Sequence, residues 1–219
     1  MAGKQRILIV SGGQIEDAFV TALLEENKYH MTIACDRGMT YFKRSGRLPD
    51  LILGDFDSAN AAELEYFQTQ TDVKIEQFPK EKDWTDTELA VRRALELSPM
   101  QIDLVGATGS RLDHVLGNVQ LLALGLEHKT TIYLLDAHNR IRLVDGPIAI
   151  KKTEQFGDYI SLIPYAGAVQ QVTLRGMKYP LDQATLTPDI TLGISNEIVE
   201  ETAYITFADG KLLVMETKD

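Results

Sequence analysis

Short runs of isoleucine, leucine and valine alternate with amphipathic stretches through the first part of the chain. Apolar runs typical of buried parallel strands occur at residues 7–10, 32–35, 51–53, 73–75, 102–105 and 131–135. Between them, apolar residues recur at three- and four-residue spacing, which predicts helices over residues 15–26, 61–68, 85–97 and 112–126. Strands that alternate with helices indicate an α/β fold, a mostly parallel sheet flanked by helices in a Rossmann-like arrangement.

The pattern changes near residues 137–140. Beyond them come short alternating segments broken by glycine and proline, at residues 141–144, 159–163, 169–174, 197–200, 203–207 and 212–216. Alternation over such short lengths predicts antiparallel strands. We therefore predict two domains, residues 1–138 and 139–219, without a long linker between them.

Composition excludes some classes of function. The formal net charge of -10 disfavours nucleic acid as a partner, because such binding needs clusters of Lys and Arg. Cys35 is the single cysteine, which rules out an internal disulfide framework. The N-terminus leads directly into a strand without a leader-type segment, and no apolar run approaches the roughly 20 residues that span a bilayer. We expect a soluble cytoplasmic protein that does not bind membranes.

An acidic pair follows the predicted strand 51–53. Asp55 and Asp57 are two positions apart, and in extended backbone both carboxylates project to the same side. Two hard oxygen ligands in this arrangement suit Mg²⁺. The pair has an equally acceptable structural interpretation, in which Asp57 caps the next helix and Asp55 belongs to a turn.

A second acidic pair, Asp83 and Asp86, lies around the start of the predicted helix 85–97. Unpaired N–H groups and the helix dipole favour negative charge there, so capping could explain one of the two. Asp86 falls in the first turn and could instead reach a metal or the substrate hydroxyl.

The glycine-containing loop 106–109, with Thr108 inside it, links a strand to a helix. Its backbone N–H groups can point at an anion, although it lacks the ending of a P-loop and the spacing of a dinucleotide fingerprint. Arg111 and Asp113 follow in the first helical turn, where the arginine can hold phosphate oxygens and the aspartate can join a metal shell. His114 either touches the ligand or packs locally, and local packing is the simpler interpretation.

Two other strand ends point to the same edge of the sheet. Asp36 follows the strand 32–35, so its carboxylate is expected near the acidic pairs, whereas Cys35 is interpreted as a core residue. Ser11 and the two glycines after it could admit a phosphate, but a tight turn is the simpler interpretation.

Taken in order, these segments resemble the thiamine pyrophosphokinase family over nearly the whole chain. The segments that carry the resemblance are Cys-Asp-Arg-Gly at 35–38, Gly-Asp-Phe-Asp-Ser at 54–58, Lys-Asp-Trp-Thr-Asp at 82–86, Gly-Ala-Thr-Gly-Ser-Arg-Leu-Asp-His at 106–114 and Gly-Ile-Ser-Asn-Glu at 193–197. The resemblance implies transfer of the pyrophosphoryl group of ATP to thiamine, with Mg²⁺ required. It also implies an α/β catalytic domain, a C-terminal antiparallel β-sandwich, and a homodimer that binds thiamine between subunits.

The resemblance assigns roles by position. It implies that Mg²⁺ and the ATP phosphates are held by Asp55, Asp57, Asp86 and Asp113, with Arg111 on phosphate. Catalytic roles fall to Asp86, Arg111 and Asp113, and the residues expected to bind ATP or thiamine are Asp36, Lys82, Asp83, Thr108, Arg111, His114, Ser195 and Asn196. Tyr179 stands near the position where some members have a tryptophan that stacks on thiamine, and Ser110 replaces a glycine common in the phosphate loop.

Two other functions also use paired aspartates at strand ends. One is a Mg²⁺-dependent phosphohydrolase, which would leave the β-rich second half without a role. The other is a non-catalytic nucleotide-binding sensor. Because the motif in the second half also matches, we favour the kinase.

Overall fold

The computed structural model describes residues 5–56, 61–70, 72–79, 81 and 83–219. Contacts within the chain divide it into two compact units, Met1–Ala137 and His138–Asp219. Two residues predicted to belong to the site, Asp57 and Lys82, lie outside the described residues.

A parallel sheet forms the centre of the first unit. Its described strands are β1 (Arg6–Val10), β2 (Met31–Cys35), β3 (Leu51–Gly54), β4 (Lys74–Gln77), β5 (Gln101–Val105) and β6 (Thr131–Leu135). They lie in the order β4-β3-β2-β1-β5-β6, and each neighbouring pair is parallel. The chain thus builds outward from β1 as far as β4 and then returns to the other side of β1 with β5. Ligands bind α/β sheets at such a switch point, outside the carboxyl ends of the strands.

Helices connect consecutive strands of this sheet. They are α1 (Asp17–Glu26), α2 (Met39–Ser45), α3 (Ala61–Gln68), α4 (Asp86–Leu95) and α5 (Leu112–His128). Successive side chains of β1 point to opposite faces, and Ile7 to Val10 are all 0% exposed, so the sheet is covered on both faces at its central strand. Full burial of each such side chain contributes roughly 1.5–3 kcal/mol. Burial on both faces explains why these strands are continuous apolar runs in the sequence.

The placement of α4 matters most for the site. Its side chains Ala90, Val91 and Ala94 are buried, and the helix packs against β1, β2 and β3. The Thr85 hydroxyl accepts a hydrogen bond from the Glu88 N–H at 3.2 Å and so caps the helix. The first turn of α4 is thereby fixed, and it reaches the carboxyl edge of the sheet.

The second unit contains antiparallel strands. They are β7 (Asn139–Val144), β8 (Ile148–Lys151), β9 (Tyr159–Pro164), β10 (Val169–Arg175), β11 (Leu181–Leu186), β12 (Thr202–Thr206) and β13 (Leu212–Thr217). In one layer β13 lies between β7 and β9, and the other layer has the order β11-β10-β12-β8. Apolar side chains from both layers, among them Leu162, Val214, Leu174 and Ile205, form one buried core. The predicted fold class, a parallel α/β part followed by an antiparallel β-sandwich, is confirmed.

Several elements differ from the prediction. Residues 197–200 do not form a strand, since Asn196 and Ile198 make isolated bridges there. The strands β8 and β11 were not predicted. β11 lies at the edge of its layer beside β10, and half of its residues are exposed and half are polar. Helix α2 was also missed, because its 7 residues are too few to display a helical period.

In the described part of the chain, no helix has both the length and the apolar character that crossing a membrane requires.

Candidate active site

A cavity of about 560 Å³ opens at the carboxyl ends of β1, β2 and β5. Its wall consists of residues 11–14 after β1, residues 35–37 at the end of β2, residues 106–110 after β5, the first turn of α4 and the first two turns of α5. The cavity therefore lies at the switch point of the sheet, and its volume is in the range that holds a small-molecule ligand.

The loops after β1 and β5 are bonded to each other along this wall. The N–H groups of Ser11, Gly13 and Gln14 donate to the carbonyl oxygens at the end of β5 and in the loop after it, those of residues 105, 106 and 108, at 2.8, 2.7 and 3.0 Å. A side chain at Gly13 would not fit, because its Cβ would lie 2.4 Å from the Gly106 carbonyl oxygen. Glycine is needed here for the close approach of the two loops.

Helix α4 is bonded to the same wall through a buried pair of hydroxyl groups. The hydroxyls of Ser11 and Thr87 lie 2.6 Å apart, with these residues only 5% and 9% exposed. The Cys35 thiol donates to the Asp86 carbonyl oxygen at 3.7 Å. Since Thr85 caps the helix, Asp86 is not the cap. It occupies the first helical position and lines the cavity.

The start of α5 carries an exposed ion pair. The Arg111 guanidinium donates to both carboxylate oxygens of Asp113, at 2.6 and 3.2 Å, and the His114 N–H donates to the same carboxylate at 3.0 Å. The hydrogen bonds from Arg111 are the main reason why the pKa of Asp113 is lowered to about 2, with a smaller contribution from the His114 N–H. The carboxylate raises the pKa of Arg111 in turn. Arg111 stays cationic at the mouth of the cavity.

The cavity brings together some of the predicted site residues and not others. Those that line it are Asp36, Asp86, Thr108, Arg111 and His114. Asp83 and Asp113 are exposed and do not line it, and Asp55 follows β3 outside the lining. Asp36 adopts a left-handed backbone with φ of 43°, which aspartate tolerates better than most residues, and its backbone lies beside Gly54.

The donor chemistry of the cavity suits a hard cation in part. Asp36 and Asp86 present carboxylates, the ligand type that Mg²⁺ combines with waters and phosphate oxygens. Among the residues that the structure describes, no group of three or more His, Cys, Asp or Glu side chains is arranged to hold a metal. Of the other predicted ligands, Asp55 and Asp113 do not line the cavity, and Asp57 lies outside the described residues.

The predicted thiamine-contacting residues lie in the second unit, and their environments differ. Ser195 is exposed with φ of 54°, and its N–H donates to the Ser161 hydroxyl at 2.9 Å. Asn196 is 3% exposed. Its side-chain amide bonds both the N–H and the carbonyl of Tyr179, at 3.0 and 2.8 Å, and accepts from the Glu197 N–H. Asn196 thus holds the backbone of Tyr179, whose own side chain is 58% exposed.

Some residues of the cavity were not predicted, and Ser11 was interpreted more simply as part of a tight turn. Buried polar groups at Ser11, Thr87 and Asn118 line it, as does Arg37 beside Asp36. Neither Thr87 nor Asn118 belongs to a motif, and each lies on a helix among ordinary helical residues. The local sequence signal available was the Ser-Gly-Gly turn, which is equally typical of a plain turn.

A parallel α/β unit with a polar cavity at its switch point, bounded by two helix N-termini, is typical of enzymes that bind phosphate-bearing ligands. Comparison with known proteins identifies the family within this class. The family model described as "Thiamin pyrophosphokinase, catalytic domain" matches residues 22–134, and "Thiamin pyrophosphokinase, vitamin B1 binding domain" matches residues 147–212. The chain belongs to the thiamine pyrophosphokinase family, whose members are diphosphotransferases.

Individual relatives agree with this assignment. The thiamine pyrophosphokinase of Bacillus subtilis is 36% identical over 194 residues, which cover 88% of this chain and 90% of that protein. Its crystal structure superposes with a TM-score of 0.87 at 34% identity, covering 98% of this chain and 100% of the other. The crystal structure of thiamin pyrophosphokinase from Geobacillus thermodenitrificans gives a TM-score of 0.83 at 32% identity, with 98% of both chains covered. Neither the phosphohydrolase nor the sensor finds support in these comparisons.

Proposed function

We propose that the chain transfers the pyrophosphoryl group of ATP to the hydroxyl group of thiamine, with thiamine diphosphate and AMP as products. The observation that carries the proposal is the match of both units to the two domains of one enzyme family. In this proposal residues 1–138 bind ATP and Mg²⁺, and residues 139–219 bind thiamine and form the dimer contact.

The cavity of the first unit is the proposed site for the ATP phosphates. Two helix N-termini, those of α4 and α5, border it, and their dipoles and N–H groups favour an anion. Arg111 at its mouth offers further donors to phosphate oxygens. Thr108, His114 and Asp36 are proposed ATP contacts because they line the same cavity. Lys82 and Asp83 are proposed on their position in the family motif.

The proposed magnesium ligands are Asp55, Asp57, Asp86 and Asp113. The carboxylates at the cavity and after β3 are hard oxygen donors of the kind that Mg²⁺ prefers. When bound, the ion neutralises charge on the phosphate oxygens and so favours attack on phosphorus.

In the proposed reaction, the thiamine hydroxyl oxygen bonds to the β-phosphorus of ATP. The bond from that phosphorus to the oxygen bridging it to the α-phosphate breaks, and AMP leaves with this oxygen. Asp86, held at the first position of α4, accepts the hydroxyl proton. Arg111 and the helix N-termini stabilise the charge on the transferred group, and positioning supplies most of the remaining rate enhancement.

The second unit is the proposed thiamine site, with a homodimer that completes it. Ser195 and the exposed ring of Tyr179 offer a hydroxyl and an aromatic face, which suit an aromatic cation. Three apolar residues lie in the segment directly before Ser195 in the chain. They are Ile190, Leu192 and Ile194, which are 42%, 46% and 45% exposed. Exposed apolar groups of this kind favour burial against a partner, here a second copy of the chain. Cytoplasmic location stays a prediction.

The purified protein mixed with ATP, Mg²⁺ and thiamine tests this function through its products. AMP that forms together with thiamine diphosphate, and only when thiamine is present, supports the kinase. Orthophosphate released without thiamine would support the phosphohydrolase, and ATP binding without any product would support the sensor. Sedimentation of the active enzyme tests the dimer, because full activity in an isolated monomer would contradict an intersubunit site.

A further inference from the structure

Each backbone carbonyl from residue 105 to residue 108 accepts a hydrogen bond from elsewhere in the first unit. The loop after β1 donates to the carbonyls of Val105, Gly106 and Thr108. The carbonyl of Ala107 accepts instead from the side-chain amide of Asn118, at 2.7 Å. Asn118 lies on α5, 11 positions along the chain, and is 9% exposed. A side chain therefore completes a set of bonds that is otherwise made by backbone.

These bonds determine where the N–H groups of the loop point. In a trans peptide the carbonyl of one residue and the N–H of the next point in opposite directions. The bond from Asn118 to the Ala107 carbonyl therefore sets the direction of the Thr108 N–H. The N–H groups of residues 107–110 donate to no other residue in the described part of the chain, and all of these residues line the cavity. They are available to a ligand.

We propose that Asn118 is a positioning residue for polyphosphate binding, which keeps the Ala107–Thr108 peptide turned so that the Thr108 N–H is directed at the anion. The inference rests on the proposed function, since the anion is taken to be the triphosphate of ATP. Ala107 is 3% exposed, so water has little access to its carbonyl. Without the amide of Asn118, this carbonyl would be left without a hydrogen-bond partner. Rotation of the peptide toward the cavity would relieve this and would present an oxygen to the phosphate in place of an N–H.

The test is a titration of ATP, and separately of inorganic tripolyphosphate, into the wild-type protein and two variants at Asn118. Asn118→Leu removes the donor and leaves a side chain of similar size. Asn118→Asp keeps the shape but has no N–H to donate when ionised. We expect both variants to bind ATP and tripolyphosphate about tenfold more weakly or worse, as for loss of a hydrogen bond to a charged group. The KM for thiamine should stay as in the wild type.

Leu122→Ala provides the matched control. Leu122 lies one turn further along α5 and is 2% exposed, so its truncation loosens the packing of the helix but removes no hydrogen-bond donor. We expect this variant to lose stability while its affinity for ATP and tripolyphosphate is kept. Wild-type affinity in Asn118→Leu, which has no group to donate, or an equal loss in Leu122→Ala, would overturn the positioning role.

The titrations also separate this inference from the reaction proposed above. If the variants at Asn118 bind tripolyphosphate weakly and the wild type binds it well but makes no thiamine diphosphate, the positioning role stands and the proposed reaction fails. If the wild type binds neither ATP nor tripolyphosphate, the phosphate site itself is wrong, and the role of Asn118 falls with it.

Discussion

Replacement of Asp103 by asparagine tests how far one buried ion pair stabilises the first unit. Asp103 lies on β5 and is 0% exposed. One of its carboxylate oxygens accepts from the Arg6 guanidinium and the Tyr29 hydroxyl, each at 2.7 Å, and the other accepts from the Gln101 side-chain amide at 2.7 Å. Burial and the carboxylate together raise the pKa of Tyr29, which keeps its hydroxyl protonated as a donor.

The loss of unfolding free energy expected for Asp103→Asn follows from these contacts. Asparagine has nearly the same shape, but it removes the charge and turns an NH₂ group toward groups that themselves donate. Breaking a buried ion pair on one side costs about 3–5 kcal/mol. Arg6 is 30% exposed, so water reaches it and the loss should fall near the lower end. We expect about 3 kcal/mol out of a total of roughly 5–15 kcal/mol, and a melting temperature lower by about 6–12 °C.

Scanning calorimetry of the wild type and Asp103→Asn measures this loss. The control is Arg47→Met, which removes an ion pair with Glu25 whose side chains are 39% and 64% exposed. Exposed pairs contribute about 0–1 kcal/mol, so the control should melt close to the wild type. The reasoning is refuted if Asp103→Asn loses no more stability than the control. Because Arg6 begins β1 and the cavity lies at the carboxyl end of that strand, activity per folded molecule should be unchanged.

Three further predictions concern the loop, the surface and the chemistry. Gly106 has φ of 65°, and a Cβ added at this position would lie 2.4 Å from the Ser11 carbonyl oxygen. Gly106→Ala should therefore lose at least about 1–2 kcal/mol of unfolding free energy, measured in urea, and bind ATP more weakly. Unchanged affinity for ATP would contradict the close fit. The pKa of Glu76 lies below its ordinary value of 4.5, and the largest cause is the hydrogen bond from Lys74. The ionised Glu76 carboxylate therefore stabilises the folded state above pH 4.5, and this stabilisation is lost as the pH falls through the lowered pKa. The difference in unfolding free energy between wild type and Glu76→Gln should therefore vanish in strong acid. A difference that is constant with pH would contradict the stabilising role of the Glu76 carboxylate. Asp86→Asn should lower turnover about 100-fold or more at saturating Mg²⁺ while ATP still binds, and near wild-type turnover would remove its role as proton acceptor.

The parallel sheet could be predicted because its central strands are buried on both faces. Residues such as Ile7 and Leu8 must then both be apolar, and the resulting runs are distinct in the sequence. Edge strands and very short helices carry no such signal. In β11 half of the residues are exposed, and α2, where Met39, Tyr41 and Phe42 are buried, has too few residues to repeat a helical pattern. Their structure depends on neighbours that are distant in the sequence.

The candidate site also contains both residues that could be predicted from the sequence and residues that could not. Asp36 and Asp86 could be predicted because each follows or begins an element whose end is marked in the sequence, and both line the cavity. The bond between Ser11 and Thr87 could not, since these residues lie 76 positions apart and become partners only when α4 packs on the sheet. Asn118 was missed for a related reason, because its partner is a backbone carbonyl 11 positions away, which no local sequence pattern marks.

A crystal structure with a non-hydrolysable ATP analogue and Mg²⁺ tests the central claim most directly, because it locates the triphosphate. The account predicts that the phosphate oxygens lie in the cavity between residues 11–14 and 106–110, with the Thr108 N–H among their donors. A triphosphate bound outside this cavity, or with the loop peptides rotated so that their carbonyls face it, would contradict the account.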